Sequence, residues 1–483
     1  MPDPDAQPRR PPRDHQAGDL SETSYDVIVL GAGPTGENVA DYAVRGGLTA
    51  LLVESELVGG ECSYWACMPS KALLRPVELL SEARAMPGVS VGPLDAQAVL
   101  ARRDSFASGW DDASQVSWAE RTGIAVARGH ARITGDKQVS VDGVTLTARQ
   151  AVVIATGSAA AIPPVDGLAE AKPWTSREAT SSRSAPKRLA VLGGGVVGVE
   201  MAFAWQALGS QVTLIERGDQ VLSNNEPEAG RRVTQSLRDS GVEVRTGVSA
   251  SRVVRDGRDG TVTITLDEDT TVEADEVLVA AGRRPRTDDL GLETVGLTPG
   301  DWLTVDDTMQ VEGIDWLYAA GDVNHRALLT HVGKYQARVA GTVIAARAKG
   351  EELTGAWTQH AATADHDVVP QVVFSDPPLA SVGLTEKAAR AKGLPVTTVS
   401  YDLGNTAGGS LYADHNLGWA QLVVADGCLV GATFYGPGVT EMVHAATVAI
   451  VGEVPLQRLW HAVASYPTQT EVWLRLLDQL PHG

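Results

Sequence analysis

The sequence predicts an α/β protein with two similar strand–turn–helix units and a C-terminal α+β domain. Three observations carry this. An apolar run ending in a glycine-rich turn opens the main body of the chain. The same arrangement returns near residue 187. The texture then changes near residue 366, where short strand-like runs precede a single helical pattern.

The first 24 residues, MPDPDAQPRRPPRDHQAGDLSETS, are rich in Pro, Asp and Arg and hold no apolar core of a signal peptide. A disordered tail over residues 1–24 is expected. The first unit follows as SYDVIVLGAGPTGENVADYAVRGGLTALLVES. Val27 to Leu30 read as a strand ending in Gly31, Gly33 and Gly36. A helical pattern comes next, then a second apolar run ending at Glu54. Such a turn lets the backbone approach a pyrophosphate and points the helix N-terminus at it. An acid ending the second strand can accept from a ribose hydroxyl.

The second unit is KRLAVLGGGVVGVEMAFAWQALGSQVTLIERG, with Gly193, Gly195, Gly198 and the acid Glu216. First glycine and acid are 23 residues apart in both copies (31 to 54, 193 to 216). One glycine motif alone says little; two with matched acids point to two dinucleotide sites. Three further apolar strands end in glycine: one at Thr156-Gly157, one just before Arg283, and one at Gly321-Asp322. A helix is expected to begin near His331. From about residue 366, VVPQVVFS and GWAQLVVADGCLVGATFYG read as strands and TEMVHAATVAIVG as a helix.

Composition narrows the function classes. At 483 residues and 43% hydrophobic content, the chain can build several cores. A charge of −20, from 40 basic against 60 acidic residues, argues against a nucleic-acid partner. No apolar run reaches membrane-spanning length, so no membrane role is expected. Three cysteines do not make a structural disulfide framework. A cytoplasmic location is expected, where a close Cys pair is catalytic or metal-binding more often than structural.

That pair lies in GGECSYWACMPSK, residues 59–71, as Cys62 and Cys67. On an ideal helix, residues five apart are about 7.5 Å apart along the axis. A disulfide needs Cα atoms roughly 4.4–6.8 Å apart. Bridging the pair therefore requires a distorted turn, and a strained bond is easier to reduce. A redox role is favoured over a structural one. A zinc site would need four ligands, and no nearby His or Cys supplies the other two. The third cysteine, Cys428, sits in an apolar strand pattern and is expected in a core.

Taken together, these residues resemble the two-cysteine flavin disulfide reductases, the class I pyridine nucleotide-disulfide oxidoreductases that include dihydrolipoamide dehydrogenase, glutathione reductase and mercuric reductase. The resemblance covers about residues 25–475. It implies Rossmann-like nucleotide-binding domains: an FAD-binding domain in two parts (25–158 and 285–350) around an NAD(P)-binding domain (159–284). A dimerisation domain (351–483) and a homodimer with shared active sites are also implied. By position, Gly31, Gly33, Gly36, Glu54, Thr156, Gly157 and Asp322 would serve FAD, with Thr330 and His331 at the flavin edge; Gly60, Arg283 and Gly321 are also expected to bind cofactor. Gly193, Gly195, Gly198 and Glu216 would hold NAD(H). Glu216 and Gly198 favour NADH, while the adjacent Arg217 leaves NADP(H) open. Hydride would pass from NAD(P)H to flavin and then to the Cys62–Cys67 disulfide. Cys67 would face the flavin, Cys62 would attack the acceptor, and Lys71 would pair with Glu200 beside the ring.

The sequence departs from this pattern at ASYPTQTEVW. Relatives carry a His, supplied to the partner's site as acid/base, with a Glu five residues on. Here Tyr466 replaces the His and Glu471 stays in register. A tyrosine hydroxyl, ordinarily titrating at about 10, is a poor base at neutral pH. His461, five residues upstream, is expected on a helix and facing elsewhere. Mercuric reductases also lack the His, but this chain has neither an N-terminal metal-binding domain nor a C-terminal cysteine pair. Tyr64 and Trp65 lie between the cysteines, where relatives carry small or aliphatic residues; they would line a pocket or fill core. Glu61 takes the place of a Thr that touches the FAD pyrophosphate and must turn away from it. The acceptor is then a disulfide or similar small molecule, with metal-ion or quinone reduction as alternatives. A non-enzymatic flavin redox sensor or scaffold is the remaining reading.

Overall fold

The computed structural model describes residues 14–480 except 258–259 and 268–269. The chain forms two compact units, one comprising residues up to Pro69, Asp104–Ala159 and Arg283–His366, the other Ser70–Arg103, Ala160–Gly282 and Asp367 onward.

The first unit is built on strand β1 (Ser24–Leu30), helix α1 (Pro34–Arg45) and strand β2 (Ala50–Glu54), as the first glycine motif predicts. β3 (Ile124–Arg128) flanks β2 in parallel, and β6 (Val144–Ile154) flanks β1. β4 (Ala131–Gly135) and β5 (Gln138–Val141) extend the sheet antiparallel, while strand Leu317–Ala319 adds to β6 in parallel. The central strands are apolar on both faces because the sheet is covered on both sides. On one face α1 packs against the helix Thr330–Ala348. Glycines allow the approach: a Cβ on Gly341 would stand 2.6 Å from the Tyr42 Cβ, and one on Gly46 2.3 Å from the Ala345 Cβ.

Residues 1–13 of the expected tail lie outside the described residues. Residues 14–24 do not behave as a tail. The His15 ring meets Glu120 at 2.8 Å, its carbonyl accepts from Arg128 N–H at 2.7 Å, and Ala17 is buried. A local excess of Pro and charge gave no sign of these partners, which lie more than 100 residues away.

The second unit contains a parallel four-stranded sheet in the order 243–246, 211–216, 188–192, 276–279, with the helix Val196–Ala207 after the second glycine motif. A three-stranded antiparallel sheet accompanies it. The C-terminal residues of this unit form a five-stranded antiparallel sheet from Pro370–Val373, Leu379–Gly383, Cys428–Tyr435, Trp419–Ala425 and Thr397–Asp402. Helix Val439–Val451 covers one face over a core of Phe434, Leu422 and Trp473. Cys428 corrects the sequence expectation. It opens its strand directly after the Asp426-Gly427 turn and is only half-buried, with Sγ 3.6 Å from the Glu453 carbonyl. Strand alternation carries no information about which end of a strand is open to solvent.

Candidate active site

The first glycine turn leaves the backbone bare because side chains cannot fit there. Gly31 has φ +99°, and a Cβ on it would stand 2.5 Å from the Ala155 carbonyl oxygen. A Cβ on Gly36 would lie 1.9 Å from the Gly31 oxygen. Gly33 and Gly60 meet across the turn: a Cβ on Gly60 would stand 2.7 Å from the Gly33 Cα. Glu54 accepts from the Ala32 and Glu56 amides, both at 2.8 Å, while burial raises its carboxyl above the ordinary range.

The second turn repeats the construction. Gly193 and Gly198 abut the Ala280 and Gly193 carbonyls, and Gly195 caps the helix. Glu216 accepts from Gly194 at 2.6 Å and Gly218 at 2.7 Å. Two glycine turns without side chains, each with an acid tied to its loop and a helix N-terminus behind it, fit the diphosphate and ribose of a dinucleotide.

Other expected residues collect in the first unit. Ser158 Oγ donates to Asp322 at 2.5 Å and accepts from Arg283 Nε at 2.5 Å. Thr156 donates to the Arg286 carbonyl at 2.9 Å, and the Arg286 amide donates to Gly157. Gly321 N–H donates to Gln336 at 2.8 Å. Glu61 faces the Arg286 guanidinium at 3.3 Å, which neutralises the acid expected to be out of place.

The cysteine segment is broken where the spacing demands it. Helix α2 (Gly60–Tyr64) stops at Trp65, whose φ −138° and ψ 3° are not helical, and helix α3 (Cys67–Arg84) starts two residues on. Cys62 and Cys67 are thiols in mutual hydrogen-bond contact. Thr330 Oγ1, at the start of the Thr330–Ala348 helix, lies 3.4 Å from Cys67 Sγ. The Cys67 contact, then burial, push the Cys62 thiol well up; Thr330 and the Lys334 ammonium oppose them. Tyr64 and Trp65 are buried, stack edge-on at 5.7 Å and cluster with Leu57 and Trp110, so they fill core. His331, next to Thr330, is exposed.

Lys71 follows Cys67 by one helical turn on α3. Its Nζ donates to Glu200 at 2.7 Å, and the Phe374 amide donates to the other carboxylate oxygen at 3.1 Å. Glu200 is buried, not a surface acid. At the C-terminus Glu471 is buried and accepts from the Ala407 amide at 3.1 Å. Tyr466 is 77% exposed. His461 lies in a turn beyond the helix Leu456–Leu459, not on a helix as expected, and is exposed.

Residues 25–350 match the family described as pyridine nucleotide-disulphide oxidoreductase, and residues 369–476 match its dimerisation domain. The chain belongs to the pyridine nucleotide-disulphide oxidoreductases. A mercuric reductase of Staphylococcus aureus is 30% identical over 92% of this chain and 81% of its own. A dihydrolipoyl dehydrogenase of Haloferax volcanii is 30% identical over 94% of this chain and 95% of its own. Among solved structures, the HOCl-induced flavoprotein disulfide reductase RclA of Escherichia coli superposes with a TM-score of 0.81 at 22% identity, over 95% of this chain and all of that one. LpdA of Mycobacterium tuberculosis does so at 0.81 and 25% identity, with the same coverage. This oxidoreductase is therefore a flavoprotein of the class that binds FAD and NAD(P)H and carries a redox-active disulfide. No helix among its described residues is long and apolar enough to cross a membrane.

Sequence reading missed several residues of the site. Ser158 and Arg286 act through contacts more than 120 residues away in sequence. Asp112, fully buried, accepts from Val58 N–H at 2.8 Å and from both Arg128 Nη atoms at 2.9 and 3.0 Å, anchoring the loop that enters α2. Glu37 follows the third glycine of the first turn directly, where an acid would carry an electrostatic cost beside a diphosphate.

Proposed function

We propose that this protein uses NAD(P)H to reduce its Cys62–Cys67 disulfide and passes the electrons to a disulfide or similar small acceptor. The observation that carries the reading is the helix break at Trp65, which brings the two thiols into contact beside Thr330. Bound flavin supplies the two-electron relay between nicotinamide and the thiols. The chain's own residues do the rest. The two glycine turns bind the diphosphates. Lys71, aligned by Glu200, sets a fixed positive charge one turn from Cys67. Cys62 is the thiol that attacks the acceptor. Residues 25–158 and 285–350 make the FAD-binding domain, 159–284 the NAD(P)-binding domain and 351–483 the interface of a homodimer. Glu216, bound to its own glycine loop, supports NADH over NADPH.

A second reading, reduction of a metal ion or quinone, is favoured by Tyr466 at the position of the usual His. Such acceptors need no proton relay from that position. Anaerobic NADH should raise the titratable thiols of the oxidised protein by two, and not at all in Cys62→Ser or Cys67→Ser. An unchanged thiol count in the parent protein defeats the reductase reading. Turnover with lipoamide, small disulfides, quinones, and mercuric and cupric ions, with NADH and NADPH in parallel, then names the acceptor and the nicotinamide. Tyr466→His should raise lipoamide turnover; equal or lower turnover counts against the role given to that position.

A further inference from the structure

We propose that Glu37 is the proton carrier for the Cys62 thiol, the task that Tyr466 leaves without an owner. The inference rests on the reductase reading above and adds a residue to it.

Glu37 stands in the first turn of α1, its amide donating to the Gly33 carbonyl at 3.0 Å. Residues four apart share a helix face, so its side chain leaves on the side of Gly33. Gly33 is the residue that meets Gly60, the first residue of α2, two before Cys62. The same turn of α1 is packed on the Thr330–Ala348 helix: a Cβ on Gly333 would stand 2.3 Å from Thr35 Oγ1. Lys334 comes next on that helix. Glu37 thus occupies the corner between α1, the cysteine segment and the start of the Thr330–Ala348 helix. The charge of Lys334 reaches both Glu37 and Cys62, and the charge of Glu37 reaches Tyr64, two residues past Cys62.

The carboxylate is not spent on structure. Its Oε1 is buried and has no hydrogen-bond partner among the described residues. The groups that act on it are Lys334, which favours the charged form, and Glu54, which opposes it. Burial outweighs both and pushes the carboxyl up to about 7. A group that titrates there gives and takes protons with equal ease at neutral pH, as a general acid–base must.

The step balances. Glu37 carboxylate takes the Cys62 proton, and the thiolate attacks one sulfur of the acceptor disulfide. One S–S bond forms, one breaks, and the departing thiolate recovers the proton from Glu37. Cys67 then attacks Cys62 in the mixed disulfide and restores the intramolecular bond. Its proton passes by the same carboxyl to the second leaving group. The protein dithiol is oxidised by two electrons and the acceptor is reduced to two thiols.

The test is the pH dependence of Cys62 alkylation by iodoacetamide in the flavin-loaded, dithiothreitol-reduced chain, with the modified peptide identified by mass. The parent protein should show an inflection near 7. Glu37→Gln, an isosteric change, should remove it and slow alkylation at that pH about tenfold or more. Lys334→Gln should move the inflection to higher pH. A profile unchanged by Glu37→Gln overturns the proposal, as does an inflection that Lys334→Gln leaves in place. If Glu37→Gln loses flavin, Glu37→Asp decides: the shorter carboxyl should keep an inflection but slow alkylation, and an unchanged profile overturns the proposal. Reduction by dithiothreitol keeps the test separate from the reductase reading. Should NADH release no thiols while the Glu37 dependence persists, only that reading fails.

Discussion

Arg128→Met should loosen the segment that presents Cys62. Arg128 and Asp112 form a bidentate pair at 2.9 and 3.0 Å, with side chains 3% and 0% exposed. Asp112 also holds the Val58 amide, four residues before Cys62. Removing the guanidinium leaves a carboxylate fully buried with one amide donor. Breaking a buried pair in this way costs about 3–5 kcal/mol, because an uncompensated charge remains in a poor dielectric. For a unit of roughly 200 residues, each kcal/mol lowers the unfolding temperature by about 2–4 °C. A drop of roughly 6–20 °C is therefore expected. Flavin release on heating, in equal saturating FAD, reports this unit without a difference in ligand linkage. Arg128→Met/Asp112→Asn removes the charge as well and should recover most of the loss. A drop under about 2 °C in the single variant, or no recovery in the double, would refute the account of a stranded charge.

The second unit carries a pH signature. Burial pushes the Asp376 carboxyl from 3.8 up to about 6, with Glu78 and Glu82 adding and a Ser81 hydrogen bond opposing. A carboxyl raised on folding favours the protonated form. Its penalty is absent below about 4, grows as pH rises through 6, and reaches at most about 3 kcal/mol at 1.36 kcal/mol per unit. Asp376→Asn should therefore stabilise the protein at pH 8 and leave it unchanged at pH 4 in urea melts; an equal effect at both pH values would exclude this cause. Lys71→Met should slow NADH-driven appearance of thiols by on the order of a hundredfold, the effect of losing one preorganised charge. An unaltered rate would reduce Lys71 to a structural partner of Glu200.

Local sequence determined much of this protein. The glycine turns are legible because carbonyl oxygens stand where a Cβ would be, as at Gly31 and Gly36, and no other residue can substitute. The helix break between Cys62 and Cys67 follows from five-residue spacing and the reach of two thiols. Strand boundaries such as Ala50–Glu54 follow from unbroken apolar runs in a doubly covered sheet. Only the tertiary structure decided the rest. Lys71 meets Glu200 across 129 residues, Asp112 receives Val58 from 54 residues away, and residues 14–24 are tied down by distant partners. Cys428 reads as core but opens its strand at a turn. Glu37 stands in the first turn of α1, where burial brings its carboxyl up to about 7. Steric exclusion and helical spacing act between neighbours, so they are written in the sequence. Burial and charge pairing depend on which distant segments arrive, and only the folded chain brings those together.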